Sequence, residues 1–126
     1  MNRLNEIEAR TNAATEGPWE HEPPPGPGED PMRPICVYPK EDGGTLAYVQ
    51  PLEADAEFIA HSRTDVPDMA AALRAVLELH APTPSDIYPH EVCHHPHCTD
   101  PTDQMEQSPW PCPTVAAIRR HLGDDL

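Results

Sequence analysis

Three cysteines, Cys93, Cys98 and Cys112, fall within 20 residues of one another, in a stretch that also carries His90, His94, His95 and His97. A fourth, Cys36, stands apart. An even cysteine count admits two disulfides. Histidines mixed among cysteines suit a metal better, because thiolates and imidazoles together are the donor set of tetrahedral zinc. Four residues separate Cys93 from Cys98, within the spacing of a ligand pair. Cys112 stands just ahead of a helix pattern, where the positive end of the helix dipole favours a thiolate. These three thiolates leave one position to fill. His95 and His97 are near in sequence, and His95-x2-Cys98 has a knuckle-like spacing. His90 precedes Cys93 by three residues. His80 closes the strongest helix pattern of the chain, where a ligand would tie the loop to a folded body.

The remaining chemistry is sparse. Glu91 lies close to Cys93, and His-Glu-Val-Cys invites comparison with zinc deaminases. Their Pro-Cys-x-x-Cys partner is missing, since Pro111-Cys112-Pro113-Thr114 has one cysteine. Ser62, Ser85 and Ser108 have no nucleophile context. No phosphate-binding glycine loop and no Gly-x-Ser-x-Gly elbow occur. A closed site of three cysteines and one histidine leaves no place for water and is structural. The expectation is therefore a non-enzymatic protein with a structural zinc ion.

Several elements must position these residues. Residues 2–15 predict a short helix with Asn2 as its cap, Leu4, Ile7 and Ala14 on one face, and Gly17-Pro18 as its stop. Trp19 reads as a core anchor rather than a ligand-stacking ring. Six prolines and two glycines in residues 22–34 predict a flexible loop. Residues 35–38 and 45–50 predict a hairpin around Asp42-Gly43-Gly44, with Cys36 buried as a small apolar residue and a third strand near Trp19. A helix over residues 53–63, with Ala54, Phe58, Ile59 and Ser62 inward, precedes one that restarts at Thr64 or Asp65. The second carries Val66, Met69, Ala70, Leu73, Val76, Leu77 and His80 on one stripe. Seven prolines in residues 81–111 leave that segment unable to hold itself together by burial, so it is either disordered or stapled. Residues 113–122 predict a last helix with Pro113 in its first turn, Val115, Ile118 and Leu122 inward, and Gly123 as its stop. The expected fold is a small α+β domain over residues 1–126, with an antiparallel hairpin or sheet, three to four helices, and a zinc-stapled loop over residues 80–112.

Composition bounds the function. Of 126 residues, 18 are proline, far above the average of roughly 5%. Eight basic against 22 acidic residues leave a formal charge of -14. Such a chain is a poor electrostatic partner for nucleic acid, so direct nucleic-acid binding is not expected. Nothing is apolar enough over a membrane-spanning length. No charged segment leads into an apolar one near residue 1, so no secretory signal is expected, and the cytoplasm follows as the expected location. The acidity reads as solubility, with mimicry of nucleic acid as the sharper alternative.

The stretches ATEGPWE, DAEFIAHSRTDVPDMAAALRAVLELH and PWPCPTVAAI resemble small uncharacterised proteins of actinobacterial phages and prophages, which are distantly similar to Ead/Ea22-like phage proteins. The matched parts are Ala14 to Trp19, Asp55 to Ala60, Asp65 to Pro67, Leu79 to Pro82, and Pro111 to Thr114. They are spread over most of the chain and omit its two proline-rich loops. The resemblance implies His80 as the fourth ligand beside Cys93, Cys98 and Cys112. It departs in the cysteine pair, where four residues (HHPH) intervene and two are expected. It brings no enzymatic activity. It implies a phage-type protein in the bacterial host and carries no established activity. The expected function is that of an accessory protein that binds a host or phage protein, in the cytoplasm of that host. The alternatives are a small zinc enzyme acting on nucleotides or nucleic acid, and an acidic decoy for a host defence protein.

Overall fold

The computed structural model describes residues 2–95, 98, 99 and 107–125. Among these the fold is α+β, with three helices, a three-stranded antiparallel sheet and a two-stranded one. The chain divides into two compact units: Glu8–Met69, and Met1–Ile7 with Ala70–Leu126.

Helix α1 spans Arg3–Ala13. Asn2 caps it, its Oδ1 accepting from the Asn5 backbone N–H at 2.8 Å. In the first unit, strands β1 (Trp19–His21), β2 (Ile35–Pro39) and β3 (Ala47–Val49) form a sheet in that order. The hairpin register pairs Ile35 with Val49, Cys36 with Tyr48 and Val37 with Ala47. Gly43 takes a φ of 64° in the connecting loop, a conformation that suits a residue without Cβ. The strand beginning at Trp19 joins β2 through Trp19–Pro39, Glu20–Tyr38 and His21–Val37 pairs. Cys36 is buried, as its strand position predicts. Residues 22–34 carry no helix or strand, and polar contacts close the loop. The Gly26 N–H donates to Glu29 Oε2 at 2.7 Å, and Arg33 pairs with both Glu22 and Glu29.

Helix α2 runs unbroken over Glu53–Leu79 and contains Pro67. The two separate helices expected over residues 53–80 are thus one element. A proline inside a helix removes one backbone hydrogen bond, while Ala54, Ala56 and Ala60 before it and the alanine- and leucine-rich stretch from Met69 to Leu79 after it favour helix. Its inward face near the sheet also differs from expectation. Ala56 and Ala60 are buried with Ile35 and Val37, and Ile59, Trp19, Ala47 and Val49 pack around them. Phe58 is 76% exposed, and Ala54 is exposed too. The positions 56, 59 and 60 share a face at helical spacing, so burying the small alanines turns Phe58 outward. Farther along, Ala70 is buried, whereas Met69, placed on the same stripe by sequence, is exposed.

The second unit is built on the last part of α2, strands β4 (Pro82–Thr83) and β5 (Val92–Cys93), and helix α3 (Pro113–Leu122). Helix α3 has the bounds the sequence predicts, buries Val115, and ends at Gly123, whose φ is 98° and whose N–H bonds back to the Arg119 carbonyl. The short β4–β5 ladder pairs Pro82 with Cys93 and Thr83 with Val92. Sequence patterning misses it, because two residues per strand carry no periodicity to detect. No helix among the described residues is long and apolar enough to cross a membrane.

Candidate metal centre

Each donor is delivered by a different piece of local structure. His80 follows the last residue of α2, and its backbone N–H still bonds to the Val76 carbonyl at 3.1 Å, so the helix sets its ring. Cys93 ends β5 and is held from both sides. Its N–H donates to the Ser108 carbonyl at 3.0 Å, and its own carbonyl accepts from the Gln107 side chain at 3.2 Å. Cys98 closes a tight turn, its N–H bonding to the His95 carbonyl at 3.0 Å and its carbonyl accepting from the Ser108 N–H at 2.9 Å. Cys112 is the N-cap residue of α3 with extended backbone (φ −67°, ψ 166°).

The four side chains converge. His80 Nδ1 is 3.3 Å from Cys93 Sγ and 3.4 Å from Cys112 Sγ. The donor atoms of His80, Cys93, Cys98 and Cys112 all lie within 4.8 Å of one another. In a tetrahedral zinc site, Zn–S near 2.3 Å and Zn–N near 2.0–2.1 Å place N and S about 3.5 Å apart and two sulfurs about 3.8 Å apart. The two His80–sulfur separations match that figure, and no donor pair is wider than 4.8 Å. The donor set therefore fits a metal ion. All four cysteines of the chain are free thiols.

The neighbouring histidines do other things. His95 is not one of the four; its ring stacks on that of His80, with centroids 5.1 Å apart and planes 18° from parallel. His90 stacks on Tyr88 at 5.6 Å. His94 Nδ1 is 3.1 Å from the Thr83 hydroxyl. His97, weighed by sequence as a fourth ligand, lies outside the described residues. Glu91 is exposed, and its backbone carbonyl accepts from the Trp110 N–H at 3.0 Å.

Trp110 braces the site, a role the sequence reading missed. Its indole N–H donates to the His80 carbonyl at 2.9 Å, its ring packs on the cluster of Cys93, Cys112 and Val115, and the Arg119 guanidinium sits 4.6 Å from the ring centroid. A tryptophan two residues before a ligand-type cysteine was the available signal.

The electrostatics show why this group wants a cation. Burial pushes the Cys93 thiol up, against the opposing pull of the His95 backbone hydrogen bond. Burial also leads the causes that push Cys98 up to about 12, with Cys112 and Cys93 adding to the effect. Cys112 is buried as well, yet the N–H groups of Val115 and Thr114 at the start of α3, with hydrogen bonds from Cys93 and Cys98, bring it below its ordinary value. Without a cation, Cys93 and Cys98 keep their protons. Three thiolates packed this closely require positive charge among them.

No protein-family model matches the chain, and no curated protein or solved structure matches it significantly.

Proposed function

We propose that the protein is a non-enzymatic, phage-type accessory protein that acts by binding a host or phage protein partner in the bacterial cytoplasm, with a structural zinc ion held by His80, Cys93, Cys98 and Cys112. The observation that carries the zinc reading is the donor group itself, three sulfurs and one imidazole nitrogen within 4.8 Å. Sulfur-rich tetrahedral sets select zinc over harder divalent ions. Four protein donors fill the tetrahedron, so no position is left for an activated water. This supports a structural ion over a catalytic one.

The role of such an ion follows from the local sequence. Residues 80–112 have little apolar surface to bury and much proline, so their ordering depends on cross-linking. Zinc joins the end of α2, the end of β5 and the start of α3, and its binding free energy becomes folding free energy for this unit. The phage assignment rests on the resemblance carried by the Gly-Pro-Trp, Asp-Ala-Glu-Phe-Ile-Ala, Asp-Val-Pro and Pro-Cys-Pro-Thr segments, and the protein partner is the role that suits a chain with a closed metal site and no nucleophile arrangement. The charge of -14 supports a protein partner over nucleic acid.

Elemental analysis of purified protein, paired with native and denaturing mass spectrometry, tests the zinc centre. One zinc per chain, lost on denaturation, is the expected result; metal-free protein with oxidised cysteines overturns it. Affinity capture from host cells, repeated at raised salt, tests the partner. A stoichiometric protein partner supports the reading, and recovery of nucleic acid contradicts it.

A further inference from the structure

The Gly-Pro-Trp segment has no part in the metal centre, yet it builds a concavity of its own. Thr15 offers one carbonyl to two donors, the Trp19 indole N–H at 3.1 Å and Arg63 Nε at 2.8 Å. Gly17 makes room for this arrangement. A Cβ at that position would meet Arg63 Cγ at 2.6 Å, so the arginine stem packs where only glycine leaves space. Trp19 and Arg63 are thereby fixed as neighbouring walls. The concavity has a volume of about 190 Å³. Its other walls are Ala14, Val66 and Pro67, with Arg10, Thr11 and Ser62.

The charge of its lining is unusual for this chain. The chain has eight basic side chains against 22 acidic ones. Two of the eight, Arg10 and Arg63, line this one depression, and none of its lining residues is acidic. Among the described residues neither arginine is in an ion pair, whereas Arg3, Arg33 and Lys40 are. Two uncompensated guanidinium groups beside an indole and apolar walls suit an anion that carries an apolar body.

We infer that the depression walled by Trp19, Arg63 and Arg10 is a binding site for a compact organic oxyanion, a carboxylate or phosphate borne on an apolar group. Arg63 is pre-positioned by its Nε contact to Thr15, leaving its terminal nitrogens to meet the anion, and Arg10 at the last turn of α1 supplies the second charge. The apolar body rests against Trp19, Val66 and Pro67. The site lies wholly within the unit Glu8–Met69 and uses none of the four residues of the metal centre, so it stands or falls independently of the zinc reading.

The test is an NMR titration of the full chain, following the Trp19 indole N–H resonance. Phenyl phosphate and benzoate are the anionic probes, and benzylamine is the cationic control. Saturable shifts with dissociation constants of about 1 mM or tighter are expected for at least one anion and none for benzylamine. Whichever anion binds more tightly identifies the oxyanion type. Arg63→Gln is expected to weaken binding about tenfold or more. Arg63 also packs on Gly17, so Arg10→Gln serves as the second variant: it alters an exposed helix-end side chain and is expected to weaken binding several-fold with the fold intact. No saturation by either anion at about 20 mM, an equal response to benzylamine, or unaltered affinity in Arg10→Gln overturns the inference.

Discussion

Cys112 Sγ lies 3.4 Å from His80 Nδ1, although 32 positions separate the two residues in the chain. One is the first residue beyond α2 and the other is the N-cap of α3. The ends of two helices are thus joined at one point, and Cys93 and Cys98 from the proline-rich stretch between them complete the group.

Replacing Cys112 with Ser removes the thiol that the start of α3 stabilises most. The expected outcome is zinc retention weakened by at least about 100-fold, with protease cleavage appearing within residues 107–122. The sheet and Ala56–Ala60 core of Glu8–Met69 contain none of the four donors, and this unit is expected to remain resistant. Limited proteolysis with mass mapping checks both halves. Unchanged resistance of residues 107–122 counts against the staple.

His80→Ala and His94→Ala separate a ligand from a neighbour. His80 faces two sulfurs at 3.3 and 3.4 Å, whereas His94 Nδ1 lies 3.1 Å from the Thr83 hydroxyl and His94 is not one of the four converging donors. Competition with a chromophoric chelator is expected to show a large loss for His80→Ala and less than about threefold for His94→Ala. His95→Ala, which removes the ring stacked on His80, should fall between them, at roughly tenfold, as supporting contacts of metal ligands do. The reverse ranking of His80 and His94 rejects His80 as the ligand.

Proton release reports the thiol states. Cys93 is raised and Cys98 is raised to about 12, so both hold protons at neutral pH in the metal-free protein. Zinc binding must displace these protons. Apparent affinity therefore rises with pH, about tenfold per unit for each proton displaced. The sign for stability is the opposite. A folded-state value above the ordinary thiol value of 9.0 makes the Cys98 contribution fully present below pH 9, and lost as pH climbs from 9 toward 12. Calorimetry in buffers of different ionisation enthalpy gives the proton count, and alkaline melting of metal-free protein gives the stability trend.

Gly17→Ala probes the other unit. The new Cβ would lie 2.6 Å from Arg63 Cγ, so the arginine stem must move and its bond to the Thr15 carbonyl is strained or lost. A destabilisation of about 1–3 kcal/mol is expected from such overpacking, read by chemical denaturation. Zinc stoichiometry should stay at one per chain.

Ile35→Ala deletes a fully buried side chain that packs with Val37, Ala56 and Ala60. The cost should be about 2–5 kcal/mol, the range for large-to-small changes in a core. A change under about 1 kcal/mol in denaturant titration would show that the sheet core is not a principal source of stability.

Much of this arrangement was legible from local signals. Asn2 as a cap, the Ile35–Tyr38 strand, and the Pro113-to-Gly123 frame of α3 each rest on residues within a few positions of one another. Capping, alternation and helix termination are short-range physics. The cysteine spacing and the resemblance together named the four residues that the fold brings into one group. Less visible was the direction of α2. Its apolar residues allow more than one inward face, and the choice of Ala56 and Ala60 over Phe58 depends on how closely a helix can approach β2, which small side chains decide. The continuity of α2 through Pro67 was equally hidden, because a proline in the sequence looks like a boundary until packing on both sides sustains the helix.

Side-chain chemistry and interactions between near neighbours were enough to set α1, the Ile35–Tyr38 strand, α3, the net charge and the donor types. The residue spacing alone left the fourth donor open among several histidines, and it is the long-range packing that brings His80 to the three cysteines while His95 stacks on it and His90 turns to Tyr88. Histidines at several positions offer the same nitrogen donors. Which one meets the sulfurs depends on where α2 ends, how β5 pairs with β4, and where Trp110 pins the His80 carbonyl. Those are long-range contacts, and no spacing in a linear chain encodes their distances.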